Sequence, residues 1–335
     1  MVKRVAINGF GRIGRNFFRS VMSNWKNDIE IVSINDLFEP KYLAYVLKYD
    51  SVFGKYSGTI EAREKALVID GKEIPITAER DPANLPHGSN NIDVVIESTG
   101  FFVNRDGAAK HLTAGAKKVL ISAPAVNPDF TVVLGCNDDK LTDEHKIISN
   151  ASCTTNCLGP VVKVLQDNYK IVSGIMTTIH SYTGDQRTVD TARAGDPVKM
   201  IRGRGAAINM IPTSTGAAKA IGVVFPELNG KMDGIAVRVP TPNGSVVDLK
   251  CVVENAATAA EINAKMKEAA EGALKGILEY TDDAICSSDI VGNPHSSIFS
   301  ALWTKAIGNH LGIMSFYDNE WGYSNRLAEL IVKKL

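Results

Sequence analysis

One cysteine near the middle of the chain stands where its thiol would be reactive. Cys153 lies in the segment 149–157 and opens a predicted helix over 153–168. The dipole and the unpaired N–H groups at a helix N-terminus stabilise a thiolate, so we expect an unusually acidic thiol and a nucleophile at this position. Cys157 follows one helical turn later and is predicted to be packed. The remaining cysteines are expected to be small buried apolar residues: Cys136, Cys251 and Cys286.

A nucleophilic thiol works best beside an imidazole that takes its proton. His180 ends a predicted strand over 171–180, and strand ends often border active sites. The spacing alone does not pair His180 with Cys153, and a purely structural histidine stays open. The other histidines are expected in loops or on polar helix faces: His87, His111, His145, His295 and His310. Because the cysteines lack a second Cys or His pair at zinc spacing, no metal site is predicted.

A glycine-rich loop near the N-terminus indicates a dinucleotide site. Gly9, Gly11 and Gly14 form a GxGxxG pattern between a predicted strand and a predicted helix, and Asp36 ends the next strand. The glycines allow a tight turn, close approach of a pyrophosphate, and helix–strand packing. Asp36 is expected to accept hydrogen bonds from the adenosine ribose and to repel the extra phosphate of NADP, which favours NAD. The alternative is a glycine turn with Asp36 as a loop cap.

Composition excludes several other classes of protein. The chain has 335 residues, above the roughly 250–300 at which a single core stops growing, so two domains are expected. Lys+Arg and Asp+Glu are both 37, which argues against a dedicated nucleic-acid binder. No apolar run approaches a membrane span, and no signal peptide is predicted. Five cysteines, an odd number, favour the reducing cytoplasm.

The elements that must position these residues change character near residue 150. Before it, strand and helix signals alternate, with helices predicted at 41–48 and 105–113 and a hairpin at 66–76. This rhythm predicts a doubly wound, Rossmann-type α/β domain whose parallel sheet carries helices on both faces.

After residue 150 the strand signals are longer and β-branched. They predict an α+β domain with a mixed or antiparallel sheet and helices on one side, with strands at 171–180, 231–239 and 246–254. Further helices are predicted from Ile262 to Ile277 and at 325–334. The predicted domains are 1–152, joined by a C-terminal helix over 319–335, and 153–318.

Given these residues, the chain resembles the phosphorylating class of glyceraldehyde-3-phosphate dehydrogenases over essentially its whole length. The matching segments are 7–15, 97–100, 121–124, 151–157, 214–219, 238–241 and 317–324. The resemblance implies that Cys153 attacks an aldehyde, that His180 acts as the base, and that inorganic phosphate cleaves the resulting thioester.

The same resemblance implies three sets of binding residues. Those for NAD are Gly9, Gly11, Arg12, Ile13, Gly14, Asp36, Arg80, Ser122 and Asn319. Those for the phosphate of the substrate are Thr183 and Arg238. Those for the attacking phosphate are Ser152, Thr154, Thr215, Gly216 and Arg202, with Arg204 as the alternative to Arg202.

The implied protein is a cytoplasmic homotetramer of glycolysis, which binds glyceraldehyde 3-phosphate and inorganic phosphate. The loop over 190–201 is longer than the family pattern, in a region that the resemblance places at subunit contacts. Within the enzyme class the alternative is an erythrose-4-phosphate dehydrogenase. From another class, the alternative is a non-catalytic NAD-binding protein, which the presence of both Cys153 and His180 disfavours.

Overall fold

The computed structural model describes residues 2–335, which form two compact units. The first contains the chain up to Val132 with Lys140–Ala151 and Ser324–Leu335, and the second contains Val133–Asp139 and Ser152–Tyr323. The domain limits inferred from the sequence place 133–139 in the first domain, whereas the structure places these residues in the second unit.

Packing explains why residues 133–139 belong to the second unit. A Cβ placed on Gly159, in the helix that begins at Cys153, would lie 3.0 Å from Val133 Cγ1 and 3.1 Å from Cys136 Sγ. Val133 and Cys136 therefore rest directly on the backbone of that helix, a contact between distant residues that no local pattern shows.

The first unit is built on one sheet with a parallel centre. Its strands are β1 Lys3–Asn8, β2 Ile29–Asn35, β3 Ile60–Arg63, β4 Ala66–Ile69, β5 Lys72–Thr77, β6 Val94–Glu97, β7 Lys118–Ile121, β8 Phe130–Thr131 and β9 Ile147–Ser149. They follow the order β3-β4-β5-β2-β1-β6-β7-β9-β8. Neighbours from β5 to β8 are parallel, whereas β3, β4 and β5 pair antiparallel. The predicted hairpin is confirmed, and Asp70 and Gly71 turn it with positive φ.

Helices α1 Arg12–Ser20, α2 Pro40–Lys48 and α3 Arg105–Thr113 belong to the first unit. Every residue of β6 and β7 is buried, which is typical of a parallel sheet covered on both faces, so the predicted fold class is confirmed. The prediction for His111 is wrong, because it is buried on α3, where it contacts the Glu97 carboxylate and His87, each at 3.0 Å. His87 lies in a loop, as predicted, and is buried there as well.

The second unit is a mixed sheet with helices packed on one face. Its strands are β10 Ile171–Ser181, β11 Ile211–Ser214, β12 Met232–Val239, β13 Ser245–Val253, β14 Leu278–Thr281, β15 Ser297–Ser300, β16 Lys305–Ile307 and β17 His310–Tyr317. They follow the order β11-β12-β10-β13-β17-β15-β14, with β16 beside β17. Its helices are α4 Cys153–Tyr169, α5 Pro197–Met200, α6 Ala217–Val224 and α7 Ala259–Glu271, whereas α8 Trp321–Lys334 belongs to the first unit from Ser324 onwards. Along β10, Met176 is buried while its neighbour Ile175 is exposed, as one covered face requires.

Three predictions for this unit need correction. Helix α7 ends at Glu271 rather than Ile277, because Gly272 favours termination and the chain then continues in turns that still bury Leu274 and Ile277. Helix α8 begins one turn before the predicted start. Cys286 is exposed rather than buried, with its Sγ 3.2 Å from the Ser288 hydroxyl.

Candidate active site

Cys153 is the first residue of α4, as the sequence predicts. The Ser152 hydroxyl caps this helix and accepts a hydrogen bond from the Thr155 N–H at 3.0 Å. Ala151, which precedes the cap, has a φ of +52°, a value that residues with a side chain rarely adopt. Backbone strain of this kind concentrates at functional sites, where it holds a side chain in a required position.

His180 lies beside the thiol, so the pairing left open by the sequence is present in the structure. The Sγ of Cys153 is 3.5 Å from Nε2 of His180. The other ring nitrogen, Nδ1, is 2.7 Å from the carbonyl oxygen of Ser181. Nη1 of Arg238 also lies 3.1 Å from Nδ1, but the carbonyl oxygen is closer and can only accept. We therefore assign the proton to Nδ1, which leaves the Nε2 lone pair directed at the thiol. The Tyr317 ring contacts the imidazole edge-to-face, with centroids 5.9 Å apart.

The electrostatics of this pair differ from the expectation for the thiol. Burial, reinforced by the charge of Arg238, lowers the pKa of His180 to about 3. Burial also raises the pKa of the Cys153 thiol, although Arg238 and hydrogen bonds from Thr154 act in the opposite direction. Desolvation therefore opposes the stabilisation of a thiolate that the helix N-terminus was expected to give. The structure favours a neutral thiol facing a neutral imidazole. The neutral imidazole is the form that can accept the thiol proton.

An arginine is brought to the same place by strand register. Strands β10 and β12 are parallel, and their register sets Arg238 opposite His180. The Nη1 group of Arg238 donates to the Ser181 carbonyl at 2.9 Å and to the Thr183 hydroxyl at 3.1 Å. Arg238 and Thr183, both predicted to hold the substrate's phosphate, thus lie together beside the imidazole.

Asp185 is a member of this cluster that the sequence did not reveal. Its carboxylate accepts a hydrogen bond from the Thr183 hydroxyl at 2.6 Å and lies 3.2 Å from Nη1 of Arg202. Burial raises the pKa of Asp185, but the Thr183 hydrogen bond and the charges of Arg238, Arg202 and Arg193 together hold it below its ordinary value. The clue in the sequence was a carboxylate two residues after Thr183, too common a pattern to single out.

The two alternative arginines are separated by the structure. Arg202 joins the cluster: its Nε donates to the Thr213 hydroxyl and its Nη2 to the Ser214 carbonyl, each at 2.8 Å. Its side chain is 18% exposed, whereas that of Arg204 is 60% exposed and pairs with Asp190 instead. Of the two arginines, Arg202 is therefore the one that belongs to the cluster around Asp185.

The residues predicted for the attacking phosphate lie at two neighbouring helix starts. Gly216 precedes α6, and the Thr155 hydroxyl of α4 is 3.5 Å from the carbonyl of Ala217, the first residue of α6. The Thr215 hydroxyl accepts the Ala217 N–H at 3.2 Å. Thr154 turns its hydroxyl towards Tyr317, 2.8 Å away, so at the start of α4 it presents its backbone N–H. Unpaired N–H groups at helix starts bind anions.

In the first unit the glycine-rich loop borders a cavity of about 590 Å³. A Cβ on Gly9, whose φ is +92°, would lie 2.7 Å from the backbone of Ser98, and one on Gly14 would lie 2.2 Å from the Gly9 carbonyl oxygen. Gly11 meets nothing within 4 Å and lines the cavity. Gly9 and Gly14 therefore allow the backbone to pack closely, and Gly11 leaves room for a ligand to approach it, which fits a bound dinucleotide.

Asp36 lines the same cavity at the end of β2. Its two oxygens accept backbone N–H groups, Oδ2 from Phe10 at 2.7 Å and Oδ1 from Phe38 at 3.1 Å. A carboxylate has about four acceptor positions, so two remain for ribose hydroxyls. The loop-cap alternative describes part of what Asp36 does, and the cavity beside it supports the binding role as well.

Of the other residues predicted to bind the cofactor, only some line this cavity. Arg80 lines the cavity. The Ser122 hydroxyl donates to the Glu97 carbonyl at 3.1 Å, and Ile13 is the second residue of α1. Arg12 forms an ion pair with Asp50 at 2.6 Å, a partner that the sequence did not indicate.

Asn319 belongs to the second unit and is buried there. Its Oδ1 accepts a hydrogen bond from the Ser245 hydroxyl at 2.8 Å, and Ser245 in turn accepts the Ser181 N–H at 3.1 Å. Asn319 is thereby connected to the strand end that carries His180, through a serine that sequence reasoning missed.

Fold and site together define a class of protein: a dehydrogenase that binds a dinucleotide at an open parallel sheet and carries a thiol nucleophile beside an imidazole. Comparison with family models agrees. Residues 3–105 match the glyceraldehyde 3-phosphate dehydrogenase NAD binding domain, and residues 152–319 match the C-terminal domain of the same enzyme. The chain belongs to the glyceraldehyde 3-phosphate dehydrogenase family, and its cofactor is NAD.

Curated relatives extend the match along the whole chain. A protein named glyceraldehyde-3-phosphate dehydrogenase from Mycolicibacterium smegmatis is 54% identical over 99% of this chain and 98% of its own length. The protein of that name from Mycobacterium leprae and glyceraldehyde-3-phosphate dehydrogenase 2 from Streptomyces avermitilis are each 52% identical, with the same coverage.

Residues 2–335 show neither a membrane-spanning helix nor a metal site. None of the helices described there is long and apolar enough to cross a membrane. Nor does that part of the chain gather three or more His, Cys, Asp or Glu side chains that could hold a metal ion.

Proposed function

We propose that this protein oxidises glyceraldehyde 3-phosphate with NAD and inorganic phosphate, and forms 1,3-bisphosphoglycerate. The observation that carries the proposal is the 3.5 Å contact between Cys153 Sγ and His180 Nε2, with the anion-binding cluster of Arg238 and Thr183 beside it. The relatives bear the name of this activity, which disfavours the erythrose-4-phosphate alternative.

In the first step Cys153 forms a covalent adduct with the aldehyde, and His180 transfers the proton. The Cys153 sulfur attacks the aldehyde carbon, while Nε2 of His180 takes the thiol proton and passes it to the developing alkoxide oxygen. The product is a hemithioacetal, with a new C–S bond and a hydroxyl group. Arg238 and Thr183 hold the phosphate of the substrate by charge-assisted hydrogen bonds.

The second and third steps oxidise and release the substrate. Bound NAD supplies the oxidant by accepting the hydride from the hemithioacetal carbon. His180 Nε2 takes the hydroxyl proton at the same time, which leaves a thioester on Cys153. An oxygen of inorganic phosphate then attacks the thioester carbon, the C–S bond breaks, and the proton held on His180 Nε2 returns to the Cys153 sulfur. We assign this phosphate to Arg202 and the N–H groups at the starts of α4 and α6.

The cavity of the first unit supports part of the proposed cofactor set, and the resemblance to the family supplies the rest. Gly9, Gly11 and Gly14 would hold the pyrophosphate and Asp36 the adenosine ribose, with Arg12, Ile13, Arg80, Ser122 and Asn319 as further contacts. Cytoplasmic location and a homotetramer remain part of the proposal. All five cysteines are free thiols, which fits a reducing compartment.

Arg238→Ala is expected to show whether Arg238 binds the phosphate of the substrate or only supports the structure. Use of glyceraldehyde 3-phosphate should fall by about tenfold to a hundredfold in kcat/KM, because a charge-assisted hydrogen bond contributes about 1.5–3 kcal/mol. Use of unphosphorylated glyceraldehyde should fall much less. Steady-state kinetics on both aldehydes measures the difference, with Arg204→Ala as the matched control, since Arg204 is exposed and outside the cluster. Equal losses on both aldehydes would indicate a structural role for Arg238.

NAD is expected to be preferred over NADP by roughly a hundredfold or more in kcat/KM, because the Asp36 carboxylate would face the additional phosphate. Asp36→Ala should weaken use of NAD and improve use of NADP. Steady-state rates with each cofactor measure this. Equal use of both by the unaltered protein would show that Asp36 does not face the ribose.

A further inference from the structure

A buried polar cluster lies behind the cofactor cavity in the first unit. Its centre is Glu97, at the end of β6, and His111, on α3, and both side chains are completely inaccessible to solvent. Their closest atoms, Glu97 Oε2 and His111 Nε2, are 3.0 Å apart. Burying a carboxylate is costly unless it is well paired, and the reaction steps above use neither residue. A different role is therefore needed to account for them.

Both oxygens of Glu97 act as acceptors. Oε2 receives the side-chain amide of Asn8 at 2.5 Å. Oε1 receives both the N–H of Thr99, at 2.8 Å, and its hydroxyl. Asn8 and Thr99 also line the cofactor cavity, so Glu97 holds two parts of the cavity wall at once.

From Asn8 the hydrogen bonds continue as a relay of amides. The Oδ1 of Asn8 accepts from Nδ2 of Asn35 at 2.7 Å. The Oδ1 of Asn35 then accepts the backbone N–H of Glu79 at 2.8 Å. Glu79 and its neighbour Arg80 line the cavity on the side of Asp36. The relay therefore links the buried carboxylate to the backbone that carries Arg80.

The direction of this relay is determined at both ends. A carboxylate cannot donate, so Asn8 must present its NH₂ group to Glu97. A backbone N–H cannot accept and a carbonyl cannot donate, so Asn35 must present its oxygen to the Glu79 N–H and its NH₂ group to the Glu79 carbonyl, 2.9 Å away. Only one orientation of the two amides satisfies both conditions.

His87 and His111 form a second chain of hydrogen bonds, and its donors also point towards Glu97. His87 Nε2 lies 3.0 Å from His111 Nδ1, while His87 Nδ1 is buried with no hydrogen-bond partner in the described part of the chain. An unpaired acceptor is cheaper than an unpaired donor, so we place the His87 proton on Nε2. It then donates to His111, whose own proton on Nε2 points at Glu97.

We propose that Glu97 is a positioning residue of the cofactor site. Its carboxylate sets the direction of the Asn8–Asn35 relay, and the relay fixes the backbone at Glu79 and Arg80 for the adenosine half of the dinucleotide. The inference rests on the proposed function only in taking the ligand to be NAD.

The first test is Glu97→Gln, which keeps the shape and turns one acceptor into a donor. The glutamine NH₂ must then face either Asn8 or Thr99, and both of these donate. Any reversal of the amides would end at the Glu79 N–H, which cannot reverse. Calorimetric titration with NAD and with ADP-ribose, which lacks the nicotinamide, should show both binding roughly tenfold more weakly. The rate of Cys153 alkylation should be unchanged.

The second test reverses the whole relay. Asn35→Asp alone should weaken ADP-ribose binding, because the new carboxylate faces the Asn8 oxygen. In the double variant Glu97→Gln with Asn35→Asp, Asn8 can turn around, donate to Asp at 35 and accept from Gln at 97. The double variant should therefore bind ADP-ribose more tightly than Asn35→Asp alone, a rescue that general destabilisation would not give.

A matched control comes from the second unit. Glu279 also accepts from an asparagine and a histidine, Asn293 and His295, each at 2.9 Å. Glu279→Gln should leave ADP-ribose affinity within twofold of the unaltered protein. Unchanged affinity in Glu97→Gln, or losses that simply multiply in the double variant, would overturn the inference. Failure of the unaltered protein to bind NAD would instead contradict the proposed function.

Discussion

Replacement of Cys153 by serine is expected to abolish the oxidation of glyceraldehyde 3-phosphate. The serine hydroxyl would occupy the place of the thiol, 3.5 Å from His180 Nε2 in the present structure, but an alcohol is a much weaker nucleophile at neutral pH. NAD binding should be retained, because the cofactor cavity lies in the first unit. Formation of NADH measures the first result and calorimetric titration with NAD the second.

Cys286→Ser is the control for this substitution. Cys286 is the exposed cysteine among the five, so its thiol is the main competitor for any alkylating reagent. Iodoacetate should modify Cys153 and Cys286, and only the modification of Cys153 should remove activity. The charge of Arg238 should attract the anionic reagent to Cys153, whereas Cys157 and Cys251 are buried. Normal turnover in Cys153→Ser would show that the nucleophile lies elsewhere.

Replacement of His180 by asparagine is expected to lower kcat by about 10²- to 10⁴-fold, the range that a general base contributes. Asparagine retains a polar group near the Ser181 carbonyl but cannot accept a proton from the thiol or from the hemithioacetal hydroxyl. The KM for the aldehyde should change little, since Arg238 and Thr183 remain. Single-turnover measurement of NADH formation isolates the affected steps.

His145→Asn is the control for His180→Asn, because His145 lies in an exposed turn and bonds only to Thr142 there. This variant should keep full activity. A His180→Asn protein with kcat within a few fold of the unaltered protein would exclude His180 as the base.

The parts of the fold that depend on local pattern were predictable from the sequence. Helix α3 has its predicted limits, and Pro40 begins α2 as expected, because propensity and chain stiffness act over a few residues. The nucleophile at the start of α4 was equally local. Contacts between distant residues were not predictable in this way. The pairing of Arg238 with His180 required the register of β10 and β12, and that of His180 with Cys153 required the packing of α4 against β10.

The remaining differences between expectation and structure have the same origin. A histidine on a helix such as His111 looks polar in a periodic pattern, and only its partner Glu97 on another element makes its burial possible. The acidity of Cys153 was inferred from its position in a helix, but the degree of burial around it depends on the whole unit. Asp185 became recognisable only once Thr183, Arg202 and Arg238 were seen around it.

The most direct test of the account is a reaction in which phosphate is left out. The protein is mixed with NAD and glyceraldehyde 3-phosphate, and NADH formation is followed while peptide mass spectrometry locates the acyl group. We expect a burst of NADH equivalent to the number of active sites, an acyl group on the peptide that contains Cys153, and steady turnover once inorganic phosphate is added. Steady turnover without phosphate, or a burst that leaves Cys153 unmodified, would contradict a thioester on Cys153 that phosphate cleaves.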